Sequence, residues 1–224
     1  MNRREFIETG AVLAASAVLA ANVAAPGVAS AQAQDMPLPP PRTTGGNPLM
    51  DALMERRSTR RFAPKALEPQ VLSDLLWAAF GINRPDGSNK RTAPSWKNRQ
   101  EMAVYAALPT GLFRYDASRH ALAPVSGKDL RALTGKQDFV ATAPLNLIYV
   151  VDFAKMSEAS PEERMFVAGC DSGSIFQNVY LACASLGLVT VVRANADKSA
   201  LAKEMNLGTD QMVTLAQTVG YPAA

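Results

Sequence analysis

The chain has 224 residues, 48% of them hydrophobic and 19% charged, which excludes disordered and fibrous classes and allows one domain with a sizeable core. Twenty-three Lys and Arg against 20 Asp and Glu leave a net charge of +3, too small for a protein that coats nucleic acid. One histidine and two cysteines give no support for a metal site or for a Ser-His or Cys-His triad.

The first segment, residues 1–31, reads as an export signal. Arg3 and Arg4 precede Phe6 and Ile7, an uncharged Ala/Val/Leu run follows from Gly10 to Ala25, and Ala29-Ser30-Ala31 fits an A-x-A cleavage site. The run is too rich in Ala for a stable span, and the paired arginines resemble a Tat-type signal. The expectation is a periplasmic protein, cleaved, with no stable membrane insertion afterwards. Residues 32–47, rich in Pro and Gly, read as an extended tether, and 48–224 as the folded domain.

Within the domain, Asn47-Pro48 opens a short helix in which Leu49 and Leu53, and Met50 and Met54, recur at i,i+4. It ends at "RRSTRRF", 56–62, which places Arg56, Arg57, Arg60 and Arg61 within six positions. Pro69 opens a second helix with Val71, Leu72, Leu75, Leu76 and Ala79 on one face and Gly81 as its stop. Residues 82–100 form a polar loop. "MAVYAAL", "GLFRYD" and "ALAPV" are short strands joined by turns, with His120 a surface residue of the last turn. "GKDLRALTG" is a short helix, and "LNLIYVVD" reads as a strand covered on both faces.

Ser160-Pro161-Glu162-Glu163 has capping-box spacing and starts a helix that runs to Leu186 and stops at Gly187. Cys170 and Cys183 fall on this one helix, about 20 Å apart at 1.5 Å per residue, so no disulfide joins them and both read as small core residues. "LVTVVR", a helix over 198–205 and "MVTLAQTVGYP" complete the chain. Strands and helices mix without regular alternation, so the class is α+β.

Neither G-x-G-x-x-G after a strand nor a P-loop is present. The arginine cluster offers another way to hold a nucleotide. Crowded guanidiniums repel, and they are satisfied either by surface carboxylates or by an anion such as a phosphate monoester. In "RTAPSWKNRQ", 91–100, Ser95, Asn98 and Gln100 can hydrogen-bond a heteroaromatic edge.

Taken in order, "RRSTRRF", "APSWKNRQ", "FQNVYLACASLGLVTVV" and the closing "LAQTVGYP" resemble the landmarks of the FMN-dependent nitroreductase family; "LSDLLWAAFGIN" and "RTAPS" look like its SagB-type dehydrogenase branch. The resemblance implies a central, mostly antiparallel sheet flanked by helices, a long central helix at a homodimer interface, and FMN between the subunits. It implies that Arg56, Arg57, Ser58 and Arg60 contact the phosphate, ribityl chain and pyrimidine side. Pro94, Ser95 and Asn98 would lie along the isoalloxazine. Val192, Arg193 and Ala194 would pass beneath its pyrimidine and N5 region, through backbone groups. Arg193 or Arg57 would then stabilise the anionic reduced flavin. The family's basic pair beyond G-Y-P has no counterpart, which shifts phosphate charge onto the arginine cluster. The implied activity is hydride transfer through flavin N5 to or from a small nitro compound, quinone or similar molecule, with no side-chain nucleophile. Two alternatives stand beside it: a SagB-like dehydrogenase acting on a peptide or heterocycle, and a binding module with the fold but no turnover.

Overall fold

The computed structural model describes residues 35–84 and 86–223, so the expected signal at 1–31 lies outside the described residues. Seven strands, β1 (Met36–Pro37), β2 (Met102–Leu108), β3 (Gly111–Asp116), β4 (Ala121–Ser126), β5 (Leu145–Asp152), β6 (Val189–Arg193) and β7 (Gln211–Gly220), form one sheet. Their order is β1-β4-β3-β2-β5-β7-β6, with every neighbouring pair antiparallel. Among the described residues four α-helices accompany it: α1 (Leu49–Glu55), α2 (Pro69–Phe80), α3 (Pro161–Ser185) and α4 (Lys198–Glu204). The class is α+β.

Between β2 and β7 lies β5, an interior strand buried from Leu145 to Val151. Leu147, Tyr149 and Val151 face the core under α2 and α3, whereas Ile148 and Val150 face the smaller core capped by α4. Successive side chains of a strand point to opposite faces, so a continuous apolar run is what two covered faces require.

The long helix begins as its cap requires, with Ser160 Oγ accepting from Glu163 N at 3.1 Å and Pro161 at the first position. Gly81 ends α2 for a different reason from a left-handed cap. Its φ is −75°, and a side chain at 81 would overlap Trp77. The stretch "GKDLRALTG" forms only a single 3-10 turn at Arg131–Thr134.

Three expectations change. The segment read as a tether lies on the domain: Met36 and Pro37 pair with Leu122 and Ala121, and Arg42 clasps Asp74 through its backbone N at 2.8 Å and Nε at 2.7 Å. His120 is in its turn but half-buried, its Nε2 2.7 Å from Ser73 Oγ and its Nδ1 3.0 Å from Tyr115 Oη. Ser73 already donates to Pro39 O at 2.6 Å, so Nε2 carries the imidazole proton and Nδ1 accepts from the tyrosine. Cys183 is buried, but Cys170 is exposed, so only one of the two is a core residue.

Candidate cofactor site

The arginine cluster extends the sheet. Arg56 caps α1 and turns the chain to an extended course; Ser58 then bridges Thr190 in parallel, and Thr59 N donates to Thr190 O at 2.9 Å. Residues 58 and 59 therefore continue the sheet beyond edge strand β6. Ser58 Oγ lies 2.8 Å from Tyr180 Oη, and Val192 N donates to the same oxygen at 3.0 Å. One tyrosine of α3 thus ties the cluster to the end of β6. The Arg56 guanidinium carbon sits 5.2 Å from the centre of the Tyr180 ring.

The cations themselves stay available. Arg57 Nε donates to Glu55 O at 3.1 Å, but among the described residues none of Arg56, Arg57, Arg60 and Arg61 is ion-paired. All four are exposed. Beside them an open cavity of about 210 Å³ is lined by Glu55, Arg57, Thr59, Tyr180 and Thr190, with Gly187 and Leu188 of the turn after α3.

The second group, 94–98, is a tightly bent loop. Lys97, Asn98 and Gln100 all have left-handed φ of 47°, 57° and 50°, each costing a non-glycine residue about 1 kcal/mol or more. The bend is held by Asn98 N to Ser95 O at 3.1 Å, Gln100 N to Ser95 Oγ at 3.1 Å and Arg99 N to Trp96 O at 2.8 Å. Pro94 and Asn98 are exposed and Ser95 is half-buried. The Gln100 amide is not free for a ligand: it accepts from Arg91 Nε at 2.9 Å and donates to Asn89 O at 2.8 Å.

Beneath the loop lie two buried carboxyls. Trp96 N is 3.4 Å from Glu101 Oε1 and 3.2 Å from Asp171 Oδ2. Burial first, and then the hydrogen-bonded Asp171 carboxyl, push the Glu101 pKa up to about 7. Glu101 Oε2 is buried without a partner.

The third group, Val192, Arg193 and Ala194, divides between faces. Val192 offers its backbone to Tyr180 and Ala194 is exposed. The Arg193 side chain is buried on the other side, donating to Thr134 O at 2.6 Å, Asn146 Oδ1 at 2.8 Å and Thr218 Oγ1 at 2.6 Å. Its guanidinium also lies 5.7 Å from the centre of the Phe139 ring, and burial lowers its pKa to about 10. A methyl at Gly135 would overlap this guanidinium, so the close approach demands glycine there. The expectation that Arg193 lends its charge to a flavin edge is corrected: three fixed acceptors hold that charge inside the domain.

The structure thus brings Arg56–Arg60 together with Val192–Ala194, through Tyr180. It does not bring 94–98 to them within one chain. That loop hangs from Asp171, nine residues before Tyr180 and so about 13.5 Å away along α3. Tyr180, Glu101 and Asp171 are residues that the motifs did not single out. Tyr180 alone carried a hint, as a polar-tipped aromatic among the small residues of "NVYLACAS".

Comparison with known proteins places the fold in a family. Residues 53–221 match the Nitroreductase family model. A protein of Methanocaldococcus jannaschii assigned to the nitroreductases is 29% identical over 153 residues, covering 64% of this chain and 76% of its own. A crystal structure from Ralstonia eutropha JMP134, also assigned to the nitroreductases, is 44% identical with a TM-score of 0.81, covering 85% of this chain and 90% of that one. The NADPH:FMN oxidoreductase of Vibrio harveyi, solved with NAD+, shares the fold at 18% identity and a TM-score of 0.57, covering 79% and 69%. With a matched order of motifs, a seven-stranded antiparallel sheet and a family model spanning most of its length, the chain belongs to the nitroreductase family.

Proposed function

We propose that this chain is an FMN-dependent oxidoreductase, working as a homodimer, that exchanges hydride equivalents with a small organic molecule such as a nitro compound or a quinone. The observation that carries the reading is the arginine cluster: four exposed guanidiniums in six positions, without a carboxylate partner among the described residues, beside an open cavity. A phosphate monoester, with about −1.5 to −2 charges and three acceptor oxygens, satisfies that arrangement.

The residues present fit the group. Arg56, Arg57 and Arg60 supply free cations, Ser58 and Thr59 supply hydroxyls on a fixed edge, and the backbone of Val192–Ala194 lies beside them through Tyr180. Bound flavin would supply hydride acceptance and donation at N5, chemistry the polypeptide lacks. The chain's own part is to hold and orient. Tyr180 fixes the distance between cluster and strand end, and the bent 94–98 loop presents Pro94 and Asn98 outward with Ser95 half-buried between them.

The homodimer reading rests on two features. Leu49, Met50, Leu53 and Met54 of α1, with Met165 and Phe166 of α3, are exposed, Met54 to 85% and Phe166 to 73%, which leaves a large apolar surface uncovered. The i,i+4 apolar pairs of α1 therefore face outward, and only Ala52 is buried on that helix. A second copy would also bring the 94–98 loop of one subunit toward the arginine cluster of the other. Export to the periplasm is supported by the pattern at Arg3-Arg4 and the run that follows.

The test is flavin uptake by the purified chain, followed by turnover of a nitroaromatic or quinone with a reduced pyridine nucleotide or a chemical reductant. Stoichiometric FMN, bound about tenfold or more weakly after R56Q/R60Q, is the expected result. No uptake, or uptake indifferent to those substitutions, overturns the assignment; uptake with no turnover selects the binding-module alternative.

A further inference from the structure

A second group of unpaired cations lies away from the arginine cluster. The β2–β3 ladder ends at the pair Tyr105 and Arg114, although β2 continues back to Met102 and β3 on to Asp116. Their outer partners hold them apart: Met102 and Ala103 stay on β5, while Tyr115 and Asp116 stay on β4. The splayed strands leave a notch with a polar cavity of about 70 Å³.

Three cations converge on that notch, Arg91, Arg114 and Lys155, and no carboxylate lines it. Among the described residues none of the three is ion-paired, whereas Arg42, Arg99, Arg119 and Arg131 each hold a carboxylate. The neighbouring acids are engaged elsewhere. Asp116 binds Arg119 at 2.7 Å, and Asp152 Oδ1 accepts from Ala154 N at 3.1 Å.

Arg91 is set in place: Nε donates to Gln100 Oε1 at 2.9 Å, Nη1 to Phe80 O at 3.1 Å, and its guanidinium carbon lies 5.1 Å from the centre of the Phe80 ring. Lys155 Nζ donates to Gln100 O at 2.9 Å and keeps two further hydrogens. Burial lowers the Arg91 pKa, and the like charge of Arg114 adds to this against the opposing fields of Tyr115 and Asp116. Three like charges around a small polar hollow are stabilised by one compact anion with several acceptor oxygens.

The geometry points to an oxyanion site in this notch, sized for a single phosphate-class group and separate from the 56–61 cluster. Arg91 and Gln100 are also the two feet of the loop that carries Pro94, Ser95 and Asn98. An anion bridging Arg91, Arg114 and Lys155 draws that loop's base onto the sheet, so occupancy stiffens it.

The experiment titrates the full chain with inorganic phosphate, and separately with phenyl phosphate, at ionic strength matched with chloride. Melting temperature and hydrogen exchange over 91–100 are the readouts. Phosphate raises the melting temperature and slows exchange in the wild type and in R56Q/R60Q alike. In R114Q/K155Q, both substitutions being at exposed positions, binding weakens by about tenfold or more. A response to phosphate alone identifies the free ion as ligand, and a response to both identifies the phosphate group of a larger molecule. No slowing of exchange over 91–100 beyond the chloride control, slowing there that survives in R114Q/K155Q, or slowing there that is abolished by R56Q/R60Q overturns the site.

Discussion

Ser58 and Tyr180, 122 residues apart in the chain, meet through a 2.8 Å contact of their hydroxyls. The same Tyr180 oxygen accepts Val192 N at 3.0 Å, which leaves its own proton for Ser58. One phenol therefore fixes how far the arginine cluster stands from the end of β6. Tyr180→Phe keeps the ring under Arg56 but strands Val192 N and frees the Ser58 segment. A lost hydrogen bond with a donor left unpaired costs about 1–2 kcal/mol. The expected outcome is FMN binding weaker by roughly 5- to 30-fold, read by flavin fluorescence titration, with a melting temperature lower by only a few degrees.

Arg193 gives the opposite kind of prediction. Its charge is held by Thr134 O, Asn146 Oδ1 and Thr218 Oγ1, so its loss strands buried acceptors rather than a ligand. Arg193→Met should destabilise the domain by about 2–4 kcal/mol in urea denaturation. The flavin reduction potential of whatever fraction folds should stay at the wild-type value. A large shift in potential with little loss of stability would instead place the guanidinium at the flavin.

The contrast shows what kinds of information a sequence carries locally. The α3 start was legible because Ser160, Pro161 and Glu163 act within one turn, and β5 because seven consecutive buried side chains leave an unbroken apolar run. The arginine cluster was legible as a charge anomaly. Arg193 was not, because the acceptors that allow its burial come from three segments 25 to 59 residues away. Residues 36–42 failed for a related reason. A Pro-rich stretch has little ladder of its own, and its two-residue strand exists only because edge strand β4 offers unpaired groups.

That strap makes a prediction for acid. Burial alone would raise the Asp74 pKa, but hydrogen bonds from the Arg42 backbone, Gln70 and the Arg42 side chain together hold it below the usual carboxylate range. Its stabilising contribution is present above the unfolded carboxylate pKa and is lost as pH falls through the depressed folded value. Burial also lowers the His120 pKa, against the Pro39 carbonyl and Asp74. The unfolded chain thus takes up that proton first, and stability falls as pH drops below about 6.5. Limited proteolysis within 35–44 should accelerate between pH 7 and pH 4. Arg42→Ala should bring the same cleavage to neutral pH.

Glu101 acts in the reverse direction. Its folded pKa, near 7, stands above the 4.5 of an ordinary glutamic acid, because burial and the adjacent Asp171 disfavour a second negative charge. Between those two values the native state keeps a proton that the unfolded chain has released, so stability falls as pH rises from about 4.5 to 7. The loss is on the order of 1–3 kcal/mol and levels off above pH 7. It falls on the pair of carboxyls that share Trp96 N, the anchor of the strained 94–98 loop. Glu101→Gln removes the titration while keeping a donor for Asp171. Relative to the wild type, the variant's melting temperature should therefore gain several degrees between pH 5 and pH 8, the rise toward neutral pH set by His120 being common to both, and loop exchange at pH 8 should be slower than in the wild type. Parallel pH profiles for the two proteins would show that Glu101 ionises as an ordinary surface carboxyl.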